Sequence, residues 1–232
     1  WNGGLGWQLL VVPRRELESG NLLLSESSIA LKAHHQRDES EWEFMGAFHY
    51  DEAVLGLGHL GYFGNAVWRW DTTVAFPHGE DPLWSTVANI DYSWNWKGIN
   101  YYGSLEMHYN TAGVSDYGAL PDAESLLARI ERGEMHTLGR AYLAPSLQVE
   151  LHPLFNLYIG AIVNLGDPSA VALPRLVWNV RQNMEITIGG NCYFGSKGTE
   201  FGGLPVPAIV DTTEVTYLAY PDRLYLWVKA YF

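Results

Sequence analysis

The feature that most narrows the fold of this chain is a two-residue repeat. In "LYLWVKAYF", Leu224, Leu226, Val228, Ala230 and Phe232 share one parity, and Tyr225, Trp227, Lys229 and Tyr231 share the other. Successive side chains of an extended strand point to opposite faces, so the stretch predicts a strand with one apolar and one polar side. The same period governs "RAYLAPSLQVELH", where Ala141, Leu143, Pro145, Leu147, Val149 and Leu151 alternate with Arg140, Ser146, Gln148, Glu150 and His152. In "MEITIGGNCYF", Ile186, Ile188, Cys192 and Phe194 stand against Glu185, Thr187, Asn191 and Tyr193. In "NYYGSLEMHYN" the polar set is Asn100, Ser104, Glu106, His108 and Asn110.

With turn residues as punctuation, the pattern predicts twelve strands, near 5–13, 27–36, 41–50, 53–63, 65–76, 84–96, 99–110, 139–152, 154–165, 170–182, 184–195 and 223–232. The segment 53–63 alternates least, because Gly recurs and neither face is cleanly polar. Links between strands sort by parity: alternate ones are very short, and the longest, 111–138 and 196–222, fall between them. Such sorting is expected of an up-and-down meander with tight turns at one end and loops at the other. One loop has internal order. In "LPDAESLLARIERG", Asp122 is placed to cap a short helix near 121–132, Ala123, Leu126, Leu127 and Ile130 follow helical spacing, and Gly133 is placed to end it. That helix reads either as packed on its neighbours, the preferred reading, or as a constriction over a lumen.

Alternation fits a soluble barrel with an apolar inside as well as a membrane barrel with an apolar outside. Aromatics reach 14%, with ten Trp and fourteen Tyr, while charged residues are only 17% against about 25% in ordinary soluble chains. These aromatics crowd strand ends on the apolar parity: Trp84, Trp94 and Trp96 bound one strand, Trp68, Trp70 and Phe76 lie on the strand before it, and Tyr101 and Tyr109 bracket the next. Two interfacial girdles have that distribution. Strands of this length also match the roughly 9 to 11 residues that cross a bilayer at a tilt. Hydrocarbon tolerates no unpaired backbone N–H or C=O, so a sheet spans it only by closing. The expectation is a single domain over 1–232, a closed antiparallel transmembrane β-barrel of about twelve strands. The apolar parity then faces lipid, and Arg69, Asp71, Asp91, Glu106, Arg140, Glu150, Arg175, Arg181, Glu185 and Lys229 line the lumen.

Other classes recede. The longest uncharged stretch, Leu151–Gly166, is too short for a membrane helix and contains Pro153, Asn156 and Asn164. The opening "WNGGLGW" lacks the basic and apolar regions of a signal peptide. One cysteine, Cys192, gives neither an intrachain disulfide nor a metal quartet. A net charge of −12 without a Lys/Arg run argues against nucleic acid as a partner. Ser27 and Ser28 near His34 and His35, and Ser104 near His108, suggest a nucleophile and base, but same-face positions four apart on a strand are about 13 Å apart. His34 and His35 point to opposite faces and make a poor metal pair. "GLGHLGYFG" and "FGSKGTEFGG" are not phosphate loops. The expectation is no enzyme, no catalytic set, no metal and no cofactor.

The C-terminal "LYLWVKAYF", ending in Phe232, resembles the terminal-strand signal of Gram-negative outer-membrane barrels. The stretch "LYIGAIVNLGDPSAVALPRLVWNVRQNMEITIGGNCYFGSKGTEFGG", followed by "PDRLYLWVKAYF", is similar to proteobacterial porin-like proteins near the alginate-export type. It shares their hairpin at Gly166 to Pro168, the turn at Gln182 and Asn183, and the Phe-Gly pairs at 194–195 and 201–202. Earlier, "WQLLVVPR" and "YDEAVLGLG" fit more loosely. The resemblance implies a Gram-negative outer-membrane location and a count of fourteen strands if amino-terminal ones are missing. The expected function is passive diffusion of small polar solutes or ions, with outer-membrane lipid as partner. Mixed lumen charges predict weak ion selectivity, and acidic residues in 111–138 predict an acidic mouth. The alternative is a barrel without an open pore that docks other outer-membrane or periplasmic proteins. A third reading, an outer-membrane hydrolase, needs Ser, His and Asp to converge within about 3 Å.

Overall fold

The computed structural model describes residues 4–206 and 216–231. The strands are β1 (Leu5–Arg15), β2 (Leu22–Arg37), β3 (Ser40–His49), β4 (Glu52–Phe63), β5 (Ala66–Phe76), β6 (Leu83–Trp96) and β7 (Ile99–Asn110). After a 3₁₀ turn (Tyr117–Asp122) and helix α1 (Glu124–Glu131) come β8 (Ala141–His152), β9 (Phe155–Asn164), β10 (Ser169–Ala172), β11 (Arg175–Arg181), β12 (Met184–Phe194), β13 (Leu204–Val206), β14 (Thr216–Leu218) and β15 (Arg223–Ala230). Thirteen of them form one antiparallel up-and-down sheet, and β13 and β14 form a separate two-stranded one. The chain divides into two compact units, Trp1–Ile90 with Tyr109–Thr111, and Asp91–His108 with Ala112–Phe232.

Every second link has two residues (38–39, 64–65, 97–98, 153–154 and 182–183), and the links between them run up to 111–140 and 195–222. At Lys97 and Gly98 both φ angles are positive, at 51° and 79°, the primed geometry that lets a two-residue turn follow the strand twist.

The strand expected at 170–182 is interrupted. Pro174 has no N–H and breaks the hydrogen-bond ladder between β10 and β11. The register nevertheless runs straight through: Ala172 faces Ala161 and Cys192, and Arg175 faces Tyr158 and Gly189. Leu173 N–H still donates to the Gly160 carbonyl (2.8 Å), and Gly190 N–H to that of Pro174 (3.0 Å). The two segments therefore lie end to end along one path between β9 and β12. Strand β2 begins five residues before its expected start, because the β1–β2 pairing resumes beyond an irregularity at Val12 to Arg14, where Pro13 sits. The link 195–222, expected as plain loop, contains β13 and β14. The expected strand end at Phe232 lies outside the described residues.

The helix forms, but Asp122 does not cap it. Asp122 closes the preceding 3₁₀ turn, and the cap position belongs to Ala123, which has no side-chain bond to give. Asp116 instead caps the 3₁₀ turn, accepting from Gly118 N–H at 2.9 Å. Gly133, with φ 74°, ends the helix as expected.

In each unit the register sorts the side chains onto two unlike faces. In the first, Leu9, Leu31 and Leu55 lie on the face opposite to Lys32, Glu43 and Asp71. In the second, Leu176, Ile188 and Leu226 share a face, and Glu185, Thr187 and Lys229 share the other. The apolar face is not a packed core: Leu9 is 68% exposed, Leu55 58% and Leu226 63%. The most buried side chains, Leu126, Asn164 and Ser169, belong instead to the second unit's loop network.

Candidate functional site

Eight of the ten charged residues singled out from sequence sit at polar-parity strand positions; Arg140 precedes a strand and Arg181 leaves the parity. In the first unit Arg69 donates to Asn89 Oδ1 (3.1 Å), and Lys32 pairs with Glu43 at 2.5 Å. Asp71 sits across from Gly58, which in turn faces Glu43, and a side chain at Gly58 would collide with the Asp71 carboxylate. In the second unit Asp91 and Glu106 occupy polar-parity positions of β6 and β7. Glu150 accepts from Asn100 Nδ2 (2.8 Å), and Lys229 bridges to Glu185 at 3.1 Å. Arg175 stacks its guanidinium 4.4 Å over the Tyr158 ring. Arg181, expected on the polar face, lies past a register irregularity opposite Met184, off that parity and exposed at the tight turn. Arg140 precedes β8, and its Nε donates to the Gly113 carbonyl at 2.7 Å, so this side chain ties down the long loop.

A second constellation, which the alternation alone does not reveal, lies where the loops of the second unit meet this face. Glu200 is 4% exposed and accepts three hydrogen bonds: from Leu138 N–H (2.9 Å), from the Tyr142 hydroxyl (2.5 Å) and from Asn164 Nδ2 (2.7 Å). Asn164 Nδ2 also donates to the Tyr117 hydroxyl (2.8 Å), and its Oδ1 accepts from Gly166 N–H (2.8 Å). Asp167 accepts from Glu200 N–H (2.7 Å) and from the Ser169 hydroxyl. Burial, then a hydrogen bond to Asp167 and the neighbouring Glu200, push the Tyr117 phenol far above its ordinary value. Tyr142 faces Asn164, and Asn164 faces Ser169, so three adjacent strands present these groups on the polar side. The 3₁₀ turn and the 195–203 segment are thereby fastened over that side. Arg129 and Arg132 converge on Glu134, at 2.8 and 2.7 Å, which neutralises part of the loop's acidity. The signal in the sequence was faint: Tyr, Asn and Glu spread over 117–200, joined only once the strands are in register.

Serine and histidine do meet, across strands rather than along them. Ser28 Oγ lies 2.7 Å from His49 Nδ1, and Ser40 Oγ lies 3.0 Å from His59 Nε2. Arg14 Nη1 donates to the same Ser28 oxygen at 2.9 Å and stacks 4.2 Å over Tyr50. A hydroxyl oxygen that accepts from a guanidinium has its electron density drawn away, which suits a structural polar cluster better than a nucleophile. Among the described residues no three His, Cys, Asp or Glu side chains converge as a metal site. No helix among them is long and apolar enough to cross a membrane, which says nothing of strands.

The fold defines an all-β protein built on an antiparallel meander, with loops fastened over its polar face in the second unit. No family model, curated protein or solved structure matches the chain.

Proposed function

We propose that the sheet closes into a β-barrel that crosses the outer membrane of a Gram-negative bacterium and serves as a passive conduit for small polar solutes or ions. The observation that carries this reading is the exposure of the apolar face. Mid-strand leucines at 58 to 68% exposure are unfavourable in water, at roughly 25 cal/mol per Å² of apolar surface, and favourable against lipid chains. Aromatic residues of the apolar face concentrate toward strand ends: Trp42 and Trp68 at one end of the first unit's strands, Phe48, Phe76 and Trp84 at the other. Trp94, Trp96 and Tyr101 cluster beside the tight turn at 97–98, with Trp94 stacked on Tyr101 at 5.3 Å. Such bands suit headgroup depth.

The polar face then lines the lumen, where both signs occur but carboxylates outnumber cations, so a weak preference for cations is expected. No catalytic role is assigned to it. Loop 111–140 narrows one mouth, held there by the Glu200 network. That fastening also favours the second reading, a plugged barrel that docks other proteins. Reconstitution into planar bilayers separates the two. Discrete ohmic steps are expected of the conduit; a folded, inserted but silent protein supports the docking barrel and overturns the conduit.

A further inference from the structure

We infer that the polar face of the second unit holds a binding site for a small organic anion, a carboxylate carried on a flat ring, with Arg175 as its anchor. The inference deepens the conduit reading and rests on it for its biological sense, because it names the class of solute that would pause on the way through. A cavity of about 480 Å³ opens on this face, within the range of roughly 300 to 1,000 Å³ usual for small-molecule sites. Its walls include Tyr102, Tyr158 and Tyr225, from β7, β9 and β15. Gly160, opposite Ser146, leaves the space between them open: a side chain there would meet nothing nearer than the Pro145 carbonyl, at 4.0 Å. Gly189 performs a second clearance. A Cβ there would run into the Tyr225 phenol, so the missing side chain is what lets that ring lie down on the sheet.

The charge of the site is one-sided. Arg175 lines the cavity and no acidic side chain does. Among the described residues Lys229 has Glu185, and Arg129 and Arg132 share Glu134, whereas the Arg175 guanidinium lies over the Tyr158 ring. A cation–π contact uses no carboxylate, and the planar N–H fork of an arginine is the group that takes one bidentately. With Tyr158 holding the arginine, Tyr102 and Tyr225 offer flat apolar surface to the rest of the ligand. Gln148 and Asn191 add neutral amide contacts for ring substituents. A polar-face cavity of the first unit differs: its Lys32 is already paired with Glu43, and Asp71 stands beside it.

Isothermal titration of the folded, detergent-solubilised chain tests the site without requiring conduction. Benzoate is the probe, with benzyl alcohol as its neutral counterpart and cyclohexanecarboxylate as its non-flat one. Saturable benzoate binding is expected, with benzyl alcohol about tenfold or more weaker, as the loss of a charge-assisted hydrogen bond implies. Arg175→Gln lowers benzoate affinity by a similar factor, Gly189→Ala weakens it by displacing Tyr225, and Arg181→Gln, at the turn that ends the same strand, leaves it unchanged. The proposal is overturned if folded wild-type chain shows no saturable benzoate binding, or if Arg175→Gln binds as wild type does. Equal affinity for cyclohexanecarboxylate would remove the flat-ring requirement. Benzoate binding by a protein that conducts nothing leaves the site standing and removes the conduit; conduction without binding does the reverse.

Discussion

At the scale of single residues, Glu200 organises the loop end of the second unit. A carboxylate removed from water is costly unless its lone pairs are filled, and three donors fill them here. Replacing it with Leu leaves the Tyr142 hydroxyl, the Asn164 amide and the Leu138 N–H without their acceptor, at about 1 to 3 kcal/mol for each buried group. An exposed ion pair contributes only about 0 to 1 kcal/mol. Glu200→Leu is therefore expected to free the loop while the strands persist, seen as faster tryptic cleavage at Arg129 or Arg132 with an unchanged β circular-dichroism signal. Unaltered cleavage would show that the loop is held elsewhere. Tyr117 gives the network a pH signature. Its folded-state pKa lies above the unfolded value of about 10, so the neutral phenol is favoured by folding. The stabilisation is complete below about pH 10 and declines as pH rises beyond it. Cleavage rates followed from pH 8 to 11 should climb at the alkaline end in wild type, and that climb should be shallower in Tyr117→Phe.

At the scale of elements, the alternation made the strands legible because each has one face unlike the other, and period two leaves no ambiguity of register once a face is named. Even 53–63, the weakest pattern, is a full strand, β4, since Gly56 and Gly58 leave space that Met45 and Asp71 approach from neighbouring strands. What escaped was non-periodic. Pro174 interrupts hydrogen bonding without shifting register, and alternation cannot report a missing N–H. The Glu200 network joins residues up to 62 positions apart, as in Leu138 to Glu200, and such contacts have no local signature. Asp122 shows the limit from the other side: a good capping residue was present, but the chain used it to end a 3₁₀ turn. The two faces yield a direct test. Ile188 lies mid-strand on the apolar face of β12, 44% exposed, and the adjacent Thr187 lies on the polar face. Lysine on the lipid side of a barrel costs about 2 to 4 kcal/mol near the bilayer midplane. Ile188→Lys should therefore lower the folded fraction in liposomes, measured by urea titration of heat-modifiable mobility. In a sheet whose apolar face met water, replacing an exposed Ile by Lys would change stability by only about 0.5 kcal/mol or less, and that result would defeat the lipid-facing assignment.

At the scale of the whole molecule, the proposed conduit has a lumen of mixed but net acidic charge and a mouth narrowed by a fastened loop, so permeation should be governed by the loop. The strand face contributes Lys32, Arg69, Arg175 and Lys229 against Glu41, Glu43, Glu52, Asp71, Asp91, Glu106, Glu150 and Glu185, a net acidic set, while Arg140 is committed to the loop's own backbone. Loop residues Asp116, Asp122, Glu124 and Glu131 remain beyond the Arg129, Arg132 and Glu134 cluster and make that mouth acidic. Excising 115–133 and joining its ends with a short Gly/Ser linker removes the 3₁₀ turn and helix α1 but keeps all strands. Single-channel conductance should then rise severalfold, because the narrowest segment of a pore dominates its resistance. The reversal potential in a KCl gradient should move toward zero without reaching it, because the acidic mouth is gone and the net acidic strand face is left. Conductance unchanged by the excision would mean that the loop lies clear of the permeation path, and the Glu200 network would then be a device for stability alone.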